Sequence, residues 1–255
     1  MHRPSNRQPP LDAPEMGRKI EPATKDAASL RIGGLTRLTT IDYPGELAAV
    51  LFCQGCPWRC RYCHNRDLLD PDADTMMHWR EAIQFLTQRR GLLDAVVFSG
   101  GEPTAQQALP AAMSEARGLG FKIGLHTSGA YPKRLRRLLP LLDWVGLDIK
   151  ALSEDYDRIT GVDGSGKPAW KSLSLLLESG IALEIRTTVM PDWTPPKVAA
   201  IAHALADAGV KDYTLQGCDI HHALDRNLPE IRFPLRKLAG QIETGLFASF
   251  SLREV

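Results

Sequence analysis

No stretch of this chain approaches the roughly 18 consecutive apolar residues that a membrane-spanning helix needs, and charge of neither sign prevails. Its 255 residues carry 31 basic and 30 acidic side chains, a net charge of +1. The first absence argues against a membrane span. The second gives no sign of a nucleic-acid or membrane-surface partner. The basic N-terminal residues have no apolar run behind them, so no secretory signal is expected and the cytoplasm is the default location. Global disorder is excluded as well, because 44% of the residues are hydrophobic, enough for a proper core. Cysteine is scarce at five residues, yet Cys53, Cys56, Cys60 and Cys63 fall within one short stretch, with Cys218 far away. In a cytosolic chain such clustering points to metal ligation rather than to disulfides.

Residues 1 to about 29 are polar and proline-rich without periodicity, and read as a mobile tail; the remaining residues, 30–255, form the domain. Segment 30–40 reads as an irregular strand or hairpin, followed by a turn at Asp42-Tyr43-Pro44-Gly45. Apolar strand candidates follow at 48–53, 95–98, 122–126, 144–149, 183–190 and 212–215. Helix candidates lie between them, near 77–90, 105–119, 132–140, 169–179 and 195–209. Near-continuously apolar strands separated by helices predict a parallel α/β sheet with one covered outer face. Six such units fit a partial, TIM-like (βα)6 barrel, and a flat doubly wound sheet is the alternative. Beyond 218 come a loop with His221 and His222 and a helix near 234–244.

The stretch Cys53-Gln-Gly-Cys56-Pro-Trp-Arg-Cys60-Arg-Tyr-Cys63-His64-Asn65 leaves the C-terminal end of the first strong strand, where parallel α/β folds place their chemistry. Its thiolates suit an iron–sulfur cluster or zinc. Three cysteines spaced x3 and x2 on a four-iron cluster leave one iron open, whereas all four could form a zinc site. The other strands also end in polar or glycine residues: Ser99-Gly100-Gly101-Glu102-Pro103, His126-Thr127-Ser128-Gly129 and Asp148-Ile149-Lys150. Glu184, Arg186 and Thr188 share one face of the fifth strand, and Gln216-Gly217 ends the sixth. Each has a plain structural reading: Asp148 with Lys150, or Glu184 with Arg186, makes a salt bridge, and the glycines make ordinary turns.

Taken together, Cys56-x3-Cys60-x2-Cys63 with Tyr62, followed in order by those strand ends, closely resembles the radical S-adenosylmethionine (SAM) superfamily over about residues 30–217. The resemblance implies a partial barrel of that type. It also implies a [4Fe–4S] cluster on Cys56, Cys60 and Cys63, with SAM on the open iron and Cys53 left as a buried non-ligand. The implied SAM contacts are Tyr62 beside the adenine, Gly100, Gly101 and Glu102 toward the amino group, then Thr127, Ser128, Asp148, Lys150 and Arg186. No catalytic residue beyond cluster and SAM is implied. His126 departs from the acidic residue of many activating enzymes, which puts a monovalent cation beside SAM in doubt. Residues 34–45 with the cysteine loop look like the activating proteins of glycyl-radical enzymes, most nearly those of anaerobic ribonucleoside-triphosphate reductase. The implied activity is reductive SAM cleavage, then hydrogen abstraction from a glycine of that partner, with a flavodoxin- or ferredoxin-type reductant. A radical SAM enzyme of deazapurine synthesis and a non-enzymatic zinc or cluster carrier are the alternatives.

Overall fold

A computed structural model describes residues 25–254. Most of the segment read as a tail lies outside the described residues. Its last part, Ala27–Ser29, forms a single 3₁₀ turn capped by Asp26, and Ala27 is buried, so the packed domain begins before residue 30.

Strands β1 (Arg31–Thr39) and β2 (Ala48–Cys53) pair antiparallel, with register shifts at two points in β1. A short β3 (Met77–His78) flanks β1 and leads into α1 (Trp79–Gln88). Strands then alternate with helices: β4 (Ala95–Gly100), α2 (Leu109–Gly118), β5 (Lys122–Thr127), α3 (Pro132–Leu138) and β6 (Trp144–Asp148). After α4 (Tyr156–Thr160) and α5 (Gly166–Ser179) come β7 (Ala182–Thr188), α6 (Pro195–Asp207) and β8 (Asp212–Gln216). Finally, α7 (Leu235–Ala239) precedes β9 (Ser249–Arg253). Local chemistry sets the helix ends: Pro195 and Pro196 open α6, and Gly180 closes α5 in a left-handed conformation at φ 72°,.

All six expected parallel strands form. The sheet has the order β3-β1-β2-β4-β5-β6-β7-β8-β9, and β9 adds a seventh parallel strand that the sequence reading did not contain. From β2 onward this order never reverses. A doubly wound sheet needs a reversal to place helices on both faces. Right-handed crossovers running one way put every helix on one face and let the sheet curl about the other, which is the geometry of an open, partial barrel.

Side chains alternate between these faces. Ala49, Leu51, Val96, Phe98, Ile123, Leu125, Val145, Leu147, Ile185 and Leu215 join the main core beneath the helices. The other parity is smaller: Ala48, Val50, Ala95, Val97 and Trp144 close on Tyr43 from the turn after β1. The Tyr43 and Trp144 rings stack with centroids 5.2 Å apart, plugging the interior at the strands' N-terminal ends.

Candidate active site

Above that plug lies a cleft of about 560 Å³, lined by Cys56, Cys60 and Cys63 and by the C-terminal ends of β4 to β8. Cys53 has the parity of Ala49 and Leu51 and is fully buried in the helix-side core, so it does not line the cleft. A four-cysteine zinc site would hold each thiolate about 2.3 Å from one ion, and would need Cys53 to turn through the sheet. Among the described residues, no three His, Cys, Asp or Glu side chains converge on a single-ion site.

The cysteine loop is braced from two sides. The N–H groups of Arg59 and Arg61 donate to the carbonyls of Thr160 and Ile159, each at 2.9 Å, and Asp225 N–H donates to Arg61 O at 2.9 Å. Arg61 Nε also meets Asp225 Oδ2 at 2.8 Å. Burial pushes the thiols up, Cys56 to about 12, with Cys60 and Cys63 raised for the same reason. Left alone they would stay protonated. A metal centre that takes up thiolates resolves that conflict.

Glycine is required at the end of β4. Gly100 has φ 109°, and a Cβ there would lie 2.5 Å from Cys53 N; one on Gly101 would lie 2.5 Å from Gly55 O. The two loops are bonded through their backbones: Gly101 N–H to Cys53 O and Glu102 N–H to Gly55 O, both 2.9 Å.

Glu102 departs from the role that the resemblance implies. It has no exposed surface and does not line the cleft. Its Oε1 accepts from Thr104 N–H at 3.0 Å and Thr127 Oγ1 at 2.7 Å, and its Oε2 from Ser128 N–H at 2.8 Å. The hydroxyls of Thr104 and Ser128 donate as well. With its acceptor sites occupied, this carboxylate fastens the ends of β4 and β5 from below rather than reaching a ligand's amino group. Gly100, Gly101, Thr127 and Ser128 face the cleft above it.

Asp148, Lys150, Arg186 and Tyr62 also line the cleft. Asp148 accepts from Arg186 Nε at 3.0 Å and lies 3.6 Å from Lys150 Nζ. Lys150 Nζ donates to the Tyr62 hydroxyl at 3.2 Å. Burial works against the Asp148 carboxylate, but Arg186 and Lys150 outweigh it and hold it below the usual range. Glu184, the sequence-level partner of Arg186, pairs instead with Arg253 Nη2 at 3.3 Å. His126 places Nε2 2.8 Å from Asp42 O and 3.3 Å from Arg186 Nη1; the shorter contact, to a carbonyl that can only accept, assigns the proton to Nε2, and Nδ1 lies 3.3 Å from Ser99 Oγ,. Burial, aided by Arg186, drives His126 down to about 3, and the ring is neutral.

Asp42, Ser99 and Arg253 line the cleft too; the sequence reading quoted Asp42 and Ser99 within motifs but named none of the three as a site residue. Ser99 has the parity of Val97, which was a usable signal; Arg253 sits on a strand with no apolar run. Gln216 and Gly217 line the cleft, whereas Cys218, His221 and His222 do not. Three thiols and two buried cations on one cleft fit a cluster and a ligand bearing a carboxylate.

The radical SAM superfamily pattern matches residues 50–205, and this chain belongs to that superfamily. Its cofactors are accordingly a [4Fe–4S] cluster and SAM. The chain is 29% identical over 213 residues to a Methanocaldococcus jannaschii protein provisionally named a glycyl-radical enzyme activating enzyme, covering 80% of this chain and 86% of that one. It is 30% identical over 174 residues to the pyruvate formate-lyase-activating enzyme of Clostridium pasteurianum, covering 66% and 71%. In fold it resembles Streptococcus suis SuiB bound to S-adenosylmethionine, with a TM-score of 0.63 at 14% identity over 79% of this chain and 48% of that one. No helix among the described residues is long and apolar enough to cross a membrane.

Proposed function

We propose that this protein generates a glycyl radical on a partner enzyme, the large subunit of an anaerobic ribonucleoside-triphosphate reductase. What carries the reading is the convergence of Cys56, Cys60 and Cys63 with the polar ends of successive strands on one cleft, in a chain similar to activating enzymes. Cys56, Cys60 and Cys63 are the cluster ligands in this reading. Tyr62, Gly100, Gly101, Thr127, Ser128, Asp148, Lys150 and Arg186 contact SAM. When bound, cluster and SAM supply one-electron cleavage and hydrogen-atom abstraction.

The chain's own groups position and shield. Lys150 and Arg186, bridged by Asp148, keep one positive charge in excess to offer to a carboxylate,. The bare backbone of Gly100 and Gly101 lets a ligand approach closely. Glu102 fixes the turn that carries Thr127 and Ser128. A flavodoxin- or ferredoxin-type protein of the cytoplasm supplies the electron. The choice of the reductase rests on residues 34–45 and the cysteine loop.

The test mixes reconstituted protein, SAM and dithionite with each candidate partner under anaerobic conditions. A glycyl radical in the electron paramagnetic resonance spectrum of the reductase is the expected result. A signal only on pyruvate formate-lyase moves the target; SAM cleavage without a radical on any glycyl-radical enzyme removes the activase reading.

A further inference from the structure

Behind the Cys56 backbone lies a second cavity of about 460 Å³, whose walls include Lys25, Arg31, Tyr131, Arg134 and Asp72. Among the described residues, none of the three cations has a carboxylate partner, and Asp72, the one carboxylate in the walls, pairs with no cation and leaves the positive charge in excess. Both arginines are half-buried and spend donors on neutral carbonyls. Arg31 Nη2 donates to Ala73 O while its Nε is buried without an acceptor. Arg134 lies over the Tyr131 ring, 4.5 Å from its centroid, and Nη1 donates to Thr104 O at 3.1 Å and to Ala105 O.

The Gln106 carboxamide in the cavity wall is already committed. The Gln106 carboxamide oxygen accepts from Arg31 N–H at 2.8 Å, and its nitrogen donates to the carbonyls of Arg31 and Gln54. Gln54 Nε2 is in turn committed to the carbonyls of Asp67 and Asp70. Half-buried positive charge without a counter-charge is unfavourable. Two planar guanidiniums and an ammonium around one space match a multiply charged oxyanion.

We propose that this cavity binds a phosphate-bearing small molecule, as inorganic phosphate or pyrophosphate or through the phosphates of a nucleotide. The site stands apart from the SAM cleft but touches it through shared structure: Cys56 lines both cavities, and Arg134 grips the segment just after Glu102.

Isothermal titration of the full-length, cluster-loaded protein provides the test, with SAM saturating so that the first cleft is filled. Phosphate, pyrophosphate and ATP are compared with chloride at constant ionic strength. One equivalent of at least one of them binds with a dissociation constant below about 1 mM. Arg31→Gln and Arg134→Gln each weaken it by about tenfold or more, Arg134→Lys by less, and Arg117→Gln on the distant Asp143 pair not at all. Pyrophosphate matching ATP assigns the affinity to phosphate alone, and ATP binding alone assigns it to a nucleotide. No heat beyond chloride, or binding indifferent to the Arg31 and Arg134 substitutions, overturns the proposal. Should a glutamine variant lose its cluster, unchanged affinity in Arg134→Lys overturns it equally.

Discussion

Two to four residues along a strand separate the dry interior of the sheet from its reactive end. On β4 the step runs from Val97, packed on Tyr43, to Ser99 in the cleft; on β6 it runs from Trp144 through Gly146 to Asp148. The same inward parity therefore builds an apolar plug below and a charged cleft above. The register aligns these layers across the sheet, with Val97 beside Gly124, Gly124 beside Trp144, and Asp148 beside Arg186. Holding shape and doing chemistry are thus assigned to different depths of one surface, and substitutions should sort by depth.

The strongest test of that division is at the top. Cys60→Ala is expected to abolish SAM cleavage and cluster loading, read as iron content and 5′-deoxyadenosine release under dithionite. Cys53→Ala, one strand face away, keeps both; loss of iron there would break the assignment of faces. At the bottom, Trp144→Ala should cost about 3–5 kcal/mol in denaturant unfolding while the folded fraction retains its SAM affinity. A variant that lost SAM affinity but not stability would reverse the comparison. Glu102→Gln sits between the layers. It should cost about 2–3 kcal/mol, since a charged acceptor serving several donors is removed, and it should weaken cluster retention and SAM binding together.

A last test is a pH slope. Burial and Arg186 hold the folded His126 down to about 3, against the ordinary imidazole value of 6.5. As pH falls below 6.5 the unfolded chain takes up this proton and the folded chain does not. Stability therefore erodes between about pH 6.5 and 3, and this group has no influence above that window. The slope is on the order of 1 kcal/mol per pH unit, and His126→Asn should flatten it in acid unfolding curves.

The strands that carry the site were legible because burial on both faces forces continuous apolar runs, as in Ala48–Cys53. β9 was not legible: Ser249–Arg253 lies at the sheet's edge, where exposed polar residues interrupt the apolar ones. The five residues of α4 are too few to show a helical period. The cysteine ligand candidates could be read from spacing, and Cys53 was set aside by the resemblance; that it faces the helix-side core shows only in the structure. The role of Glu102 could not be read, because its partners Thr127 and Ser128 lie one strand away. The ion pair of Arg186 was hidden for a related reason: Glu184, the salt-bridge alternative, shares its strand, but Asp148 on the neighbouring strand lies directly across from it.

The interlocked backbones of Gly101 with Cys53 and of Glu102 with Gly55 carry a consequence for assembly. The loop of Cys56, Cys60 and Cys63 and the adjoining glycine turn are therefore expected to move together. Oxygen damage that strips the iron should therefore erase the pocket for the sulfonium as well.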